Sequence, residues 1–263
     1  MWKMEHCFTC GGLGFPDKVC PECGREPKNK SLNLDRMPDT KEFVKKVEGV
    51  AIPAAYHGIV WDAEILKKNN PDKVAAYSDS STKNDQYFLH FVDQLQKINN
   101  IFAAGEIPHR SAIICAPAGY SKMIFAYSCM QRALTAGFKV APLLDSNEVK
   151  RVLILAGENP WYKINKYLDY DDYIFSDVLF LTITKLYNYV DAYSIIQEIF
   201  DRRSRKGLST FVMSRHSIDD LAKNDKSGNF RVLKDKDSVD HYKYPAIIQY
   251  TDRFGKMSFF NGQ

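Results

Sequence analysis

Apolar positions along this chain recur with two distinct periods. Over Lys41 to Val50, Phe43, Val44 and Val47 fall at helical spacing. From Asp85 to Ala104, Phe88, Phe91, Val92, Leu95, Ile98 and Phe102 return at steps of three and four. That spacing predicts a long helix with one apolar face. Short, largely apolar runs follow at Ser111 to Cys115, Lys139 to Leu144, Asp177 to Ile183 and Thr210 to Met213. These are expected to be strands, the first a short buried one. Helical segments are expected between them, over Met123 to Thr135 with Gly137 as its cap, Glu148 to Ala156, Trp161 to Leu168 and Tyr193 to Arg203. Strands separated by helices predict a parallel sheet with helices on both faces.

The flanking regions follow other patterns. Residues 51–81 read as irregular, with Pro53, Pro71 and a Ser-rich end. After Ser217, residues 230–233, 246–250 and 257–260 read as hairpin strands, with turns at Ser227-Gly228 and Phe254-Gly255. The expected organisation has four parts: a four-cysteine ribbon over 1–27, a linker and helix over 28–50, an α/β core over 51–218, and a strand-rich C-terminal extension over 219–263.

Composition narrows the class. With 263 residues, the chain can bury one sizeable core and carry a small accessory module. Hydrophobic residues at 45% and charged residues at 26% are ordinary for a globular protein. No apolar run approaches about 18 residues, so no membrane span is expected. The first ten residues lack the basic-then-apolar pattern of a secretory signal, which places the chain in a reducing cytoplasm. The net charge of +4 is too mild to imply nucleic acid by itself. Its clustering matters more, because Arg202, Arg203, Arg205 and Lys206 form a basic knot. The knot reads either as a solvated helix end or as a contact for phosphate or a partner.

Cys7, Cys10, Cys20 and Cys23 follow the spacing Cys-x2-Cys-x9-Cys-x2-Cys. Each Cys-x2-Cys pair makes a tight knuckle with both sulfurs aimed at one ion, and two knuckles complete a tetrahedron. Gly11, Gly12 and Gly24 follow the knuckles, where the backbone must turn sharply. A segment this small cannot bury a core, so the metal must supply its folding energy. Four thiolates close the coordination sphere, which makes the expected zinc structural and leaves His6 a bystander. The remaining cysteines, Cys115 and Cys129, sit in apolar surroundings and read as packed and inert. The six histidines are scattered, and no Ser-His-Asp or Cys-His order has supporting context.

Ala116-Pro-Ala-Gly-Tyr-Ser-Lys-Met123 follows a predicted buried strand and opens a helix. In that context the phosphate-loop pattern G-x-x-x-x-G-K-[ST] is partly matched. Gly119 lies in the loop and Lys122 takes the lysine position. Ala116 and Ser121 replace the two glycines, and Met123 replaces the hydroxyl residue. Loop amides, the helix N-terminus and Lys122 could still meet an anion. Met123 offers no hydroxyl to magnesium. At the end of the strand over 177–183, Thr182 and Ile183 stand where such a site carries its acidic pair. The candidate phosphate-contacting residues are Gly119, Tyr120, Ser121, Lys122 and Met123, for ATP or ADP.

These residues carry a resemblance. Ile52-Pro-Ala-Ala-Tyr56 with Trp61, the loop Ala116 to Met123, Phe175-Ser-Asp-Val-Leu-Phe-Leu181, Tyr193 to Arg203 ending in Asp-Arg-Arg, and Thr210-Phe-Val-Met-Ser214 together resemble the helicase-loader and transposition-helper branch of AAA+ ATPases, the DnaC, DnaI and IstB group. The likeness spans about 52–217. It implies a P-loop/AAA+-like three-layer core and a part in DNA replication. The implied partners are a replicative helicase or loader protein and single-stranded DNA, and homo-oligomers are implied by analogy. The departures at Ser121, Met123, Thr182, Ile183 and Arg215 imply little or no ATP hydrolysis. They suit a viral or mobile-element protein, placed in the host cytoplasm if viral. Two other readings stand beside this one: a pseudo-ATPase that sequesters a replication protein, and a weak ATPase with unconventional magnesium ligands. The four-cysteine module is expected to bring one zinc per chain. Metal analysis of gently purified protein should return that ratio, and substoichiometric zinc removes the assignment.

Overall fold

The computed structural model describes residues 41–71, 74, 84–145, 170–183, 196, 199–200, 202–224 and 246–250. The four cysteines of the ribbon lie outside the described residues, as do the helices expected over 148–156 and 161–168 and the strands expected over 230–233 and 257–260.

Among the described residues, five strands form one sheet: β1 (Ala112–Cys115), β2 (Leu144–Asp145), β3 (Val178–Ile183), β4 (Ser209–Ser214) and β5 (Ala246–Gln249). Their order is β2-β3-β4-β1-β5, and every pair is parallel. Side chains alternate between the two faces, as the pleat requires. Ala112 and Ile114 of β1, Val178 and Phe180 of β3, and Phe211 and Met213 of β4 enter one core. Ile113 and Cys115, Leu179 and Leu181, and Val212 enter the other. The first core is covered by α1 (Lys41–Gly49), α2 (Ala63–Lys68), α3 (Asn84–Ala103) and α4 (Lys122–Thr135). The second is covered by Tyr173 and Ile174 of α5 (Tyr170–Phe175), by Ile196, Ile199 and Phe200, and by Ile218 and Leu221 of α6 (Ile218–Asn224). Helices on both faces of a parallel sheet make an α/β three-layer core, as expected. Among the described residues, no helix is long and apolar enough to cross a membrane.

α3 presents the expected face: Phe88, Phe91, Val92, Leu95 and Phe102 are buried. Phe102 meets Phe180 and Phe211 at 6.0 and 5.7 Å, and those two rings stack at 5.0 Å. Such pairs add about 0.5–1.5 kcal/mol each beyond the area they bury. α4 is buried continuously from Phe125 to Leu134, because the segment before α2 lies across it. The Gln131 amide accepts from Gly58 N at 2.7 Å and donates to Tyr56 O at 2.9 Å. Trp61 N donates to Ser128 Oγ at 3.0 Å. Polar residues on an interior helix are thus satisfied by passing backbone.

Several expectations need correction. Residues 246–250 form no hairpin strand; β5 lies parallel to β1, with Ala246 opposite Ala112 and Gln249 opposite Cys115. The core therefore runs past 218 to Tyr250 and takes in part of the expected extension. It also takes in α1, whose Phe43 and Val47 are buried in it. The strand expected over 139–144 is only an isolated bridge at Val140 plus β2, because Pro142 lacks the N–H a ladder needs. Residues 51–81, read as irregular, contain a 3-10 turn at Ala54–Tyr56 and α2. The signal missed there is Asp62, whose side chain caps α2 by accepting from Glu64 N at 2.8 Å.

Arg203 is fully buried. Its Nε donates to Thr210 Oγ1 at 2.8 Å, and its terminal nitrogens donate to Tyr173 O, Ser176 O, Ser176 Oγ and Ser209 O at 2.7–3.0 Å. Burial pushes its pKa down to about 10, while nearby Asp177 acts the other way, so the group stays charged at neutral pH. One side chain ties together the starts of β3 and β4 and the helix that precedes β4. Arg203→Met would strand several buried acceptors at about 1–3 kcal/mol each. Its urea midpoint should fall by an amount equivalent to about 3–5 kcal/mol; an unchanged midpoint contradicts this account.

Candidate functional site

The loop 116–121 leaves the middle of the sheet. β1 is flanked by β4 and β5, and both pairings continue one step beyond it. Ala116 N donates to Ser214 O at 3.0 Å, and Tyr250 N donates to Cys115 O at 2.8 Å. The chain then turns through Gly119 at φ +90° and Ser121 at φ +52° before α4 begins at Lys122. Ser121 occupies the second glycine position of the phosphate-loop pattern and adopts the left-handed backbone that glycine takes freely. For a residue with a Cβ this conformation costs about 1–2 kcal/mol.

Each candidate residue in the loop has a distinct placement. Tyr120 turns inward, its ring 6.0 Å from Phe88 and 5.1 Å from Tyr250. The ring anchors the loop to α3 and to the end of β5, and leaves to the backbone any contact of this residue with phosphate. Met123 packs partly buried against the first core. Ser121 makes no side-chain cap, and the first turn of α4 holds no acidic residue, so the helix N-terminus is not neutralised from within. Lys122 Nζ folds back and donates to Ala116 O at 2.5 Å and Pro117 O at 2.6 Å. It has no carboxylate partner among the described residues. Burial pushes its pKa down to about 8, opposed weakly by Cys115. Loop amides, a helix start with no acid in its first turn and a partly buried ammonium with no carboxylate partner among the described residues form an arrangement suited to a bound anion.

The neighbouring strand ends lie at the same side of the sheet. Thr182 is buried, as is Ile183, and neither supplies an acid. The carboxylate that sequence reasoning passed over is Asp145, which lies opposite Thr182 in the β2–β3 register. Burial raises the Tyr127 pKa, with smaller contributions from Tyr56 and Asp145. Ser214 Oγ accepts from His216 N at 2.9 Å, and exposed Arg215 follows it. Gln249 Oε1 accepts from Ile218 N at 2.8 Å, which holds the start of α6 against β5. Cys115 is buried and its thiol is pushed up to about 12, so it is no nucleophile at neutral pH. Among the described residues, no group of three His, Cys, Asp or Glu is placed to hold a metal ion.

No protein-family model matches the chain. No curated protein matches it either. Solved structures do. A candidate primosome component from Streptococcus pyogenes serotype M3 is 14% identical, with a TM-score of 0.44 over 60% of this chain and 78% of that one. The structure of DnaI is 14% identical, with a TM-score of 0.43 over 67% of this chain and 87% of that one. The ORC1 protein of Aeropyrum pernix, solved with DNA, is 12% identical, with a TM-score of 0.34 over 62% of this chain and 44% of that one. At these scores the fold rests on strand order and on the loop itself.

The basic knot is not beside the loop. Arg203 bonds to Ser209 O and Ser176 O, at the starts of β4 and β3, so the knot lies at the opposite end of the sheet. Arg203 itself is withdrawn from any contact with a partner, correcting that expectation, because its guanidinium is spent inside the fold. Arg202, Arg205 and Lys206 remain exposed.

The lowered Lys122 pKa has a definite stability consequence. Between pH 8 and 10.5 the unfolded chain holds this proton and the folded chain has lost it, so this group makes stability rise with pH. Relative to Lys122→Met, the wild type should gain up to about 3 kcal/mol across that window. Paired urea titrations at both ends of it measure the difference; parallel curves contradict the burial of a charged ammonium.

Proposed function

We propose that this chain is a DNA replication protein of the helicase-loader type that acts by binding rather than by turnover. The observation that supports the reading is the loop 116–122, which turns through left-handed backbone at Gly119 and Ser121 onto the start of α4, while Met123 offers no hydroxyl and Thr182 and Ile183 no carboxylate for magnesium. A nucleotide, if held, has its phosphates against the loop amides and Lys122, with slow or no cleavage. The core then serves as a rigid body that engages a replicative helicase, a loader protein or single-stranded DNA. Cys7, Cys10, Cys20 and Cys23 hold a zinc ion in a module that grips the partner. A sequestering role uses the same contacts without delivery.

Asp145 favours a second reading. It lies at the same end of the sheet as the loop, opposite Thr182, and is a carboxylate that a weak ATPase could use in place of the missing acidic pair.

Titration with a fluorescent ATP analogue, with and without magnesium, tests the nucleotide site. Saturable binding abolished in Lys122→Ala supports the loop assignment, and hydrolysis abolished by Asp145→Asn would favour the weak ATPase. A pull-down against the replicative helicase of the host, followed by loading onto coated single strands, separates loader from sequestering protein. Failure to retain any helicase removes the main reading.

A further inference from the structure

The helix before β4 has two faces. Ile196, Ile199, Phe200 and Arg203 fall at spacings of three and four and are buried. Arg202, Arg205 and Lys206 fall at the same spacing, rotated outward, and are exposed. The helix ends at Gly207, φ +69°, with Gly207 N donating to Ser204 O and Leu208 N to Arg203 O, both at 3.0 Å. This closing turn fixes where the cations point. Cations at a helix C-terminus are favoured by its dipole, and that alone could account for them.

The dipole does not account for Phe175. Phe175 is 50% exposed, and it is the one aromatic among the two large apolar side chains so placed in the described residues. Lys206 Nζ sits 4.5 Å from the ring centroid. The position is built, since Arg203 holds Tyr173 O and Ser176 O on either side of Phe175 through the same guanidinium that anchors the helix end. Among the described residues at this end, Asp172 pairs with Lys139 Nζ at 2.8 Å, and Asp177 accepts from Lys139 N at 2.7 Å.

We infer that Phe175, Lys206, Arg202 and Arg205 form a binding surface for single-stranded nucleic acid at the end of the sheet opposite the phosphate loop. The inference deepens the partner half of the replication reading and rests on it. An exposed ring beside cations matches a flexible polyanion whose bases can unstack onto it. Duplex bases are already stacked and cannot meet the ring. An acidic peptide would pair with the cations and leave the ring idle. In this surface a base stacks on the side of Phe175 away from Lys206, and the arginines meet the flanking phosphates.

Fluorescence anisotropy with the full-length chain and a labelled oligothymidylate of about 20 nucleotides, across a salt series, tests this. Wild type should bind with salt-dependent affinity. Arg202→Glu with Arg205→Glu should weaken binding at least about ten-fold and flatten the salt slope by about 0.7 for each phosphate no longer neutralised. Phe175→Ala should weaken it about five-fold or more with the slope unchanged, and Phe175→Trp should restore it. Wild type that does not bind, double-variant binding equal to wild type, duplex bound as tightly as single strand, or competition by polyglutamate equal to that of the oligonucleotide would each overturn the surface. Helicase retention by the same double variant is read separately. It stays intact if only the surface is wrong and is missing from wild type too if the replication reading fails.

Discussion

A strand buried on both faces has no place for a charge along its length. This constraint organises the molecule. β3 and β4 are buried from end to end, and β1 lies between β4 and β5 with its four residues buried. In a parallel sheet every polar group with work to do is therefore driven to one end of the strands or the other. The loop that follows β1 gathers Lys122, the start of α4, Asp145 and Ser214 at one end. The other end gathers Arg203, the exposed cations and Phe175. Nothing in the described sheet interior links the two except packing.

The two ends hold their charge differently. Lys122 is folded onto loop carbonyls with its pKa lowered, so an anion beside it would stabilise its charged form. Arg203 is surrounded by carbonyls and hydroxyls that its fork-shaped guanidinium matches, and it needs no ligand. Partly buried Lys122 is thus left incomplete by the fold, whereas buried Arg203 completes it.

Much of the core was legible in the sequence. α3 carried an unambiguous period and β3 a continuous apolar run, and the loop's place between β1 and α4 followed from the motif's context. What escaped had physical reasons. Ala246-Ile-Ile-Gln249 is apolar, but four residues cannot announce which strand they will join or in which direction. Pro142 was a visible warning that the run over 139–144 could not form a full strand. Arg203 read as surface because arginines usually are, although its spacing from Ile196, Ile199 and Phe200 already placed it on the inner side of the helix. Tyr120 looked like a loop residue free to contact a ligand; only the approach of Tyr250 and Phe88 shows where its ring goes. Asp145 was invisible as a site residue because only the register of β2 against β3 brings it level with Thr182.

The place of β5 bears on how the chain is made. It pairs with β1 although most of the core separates them in sequence. As the chain emerges from the ribosome, β1 can dock on β4 while its other flank, a row of open N–H and C=O groups, waits for residues 246–249. A message cut short before residue 246 would leave that flank permanently bare. The product would be less a smaller working domain than a template for self-association.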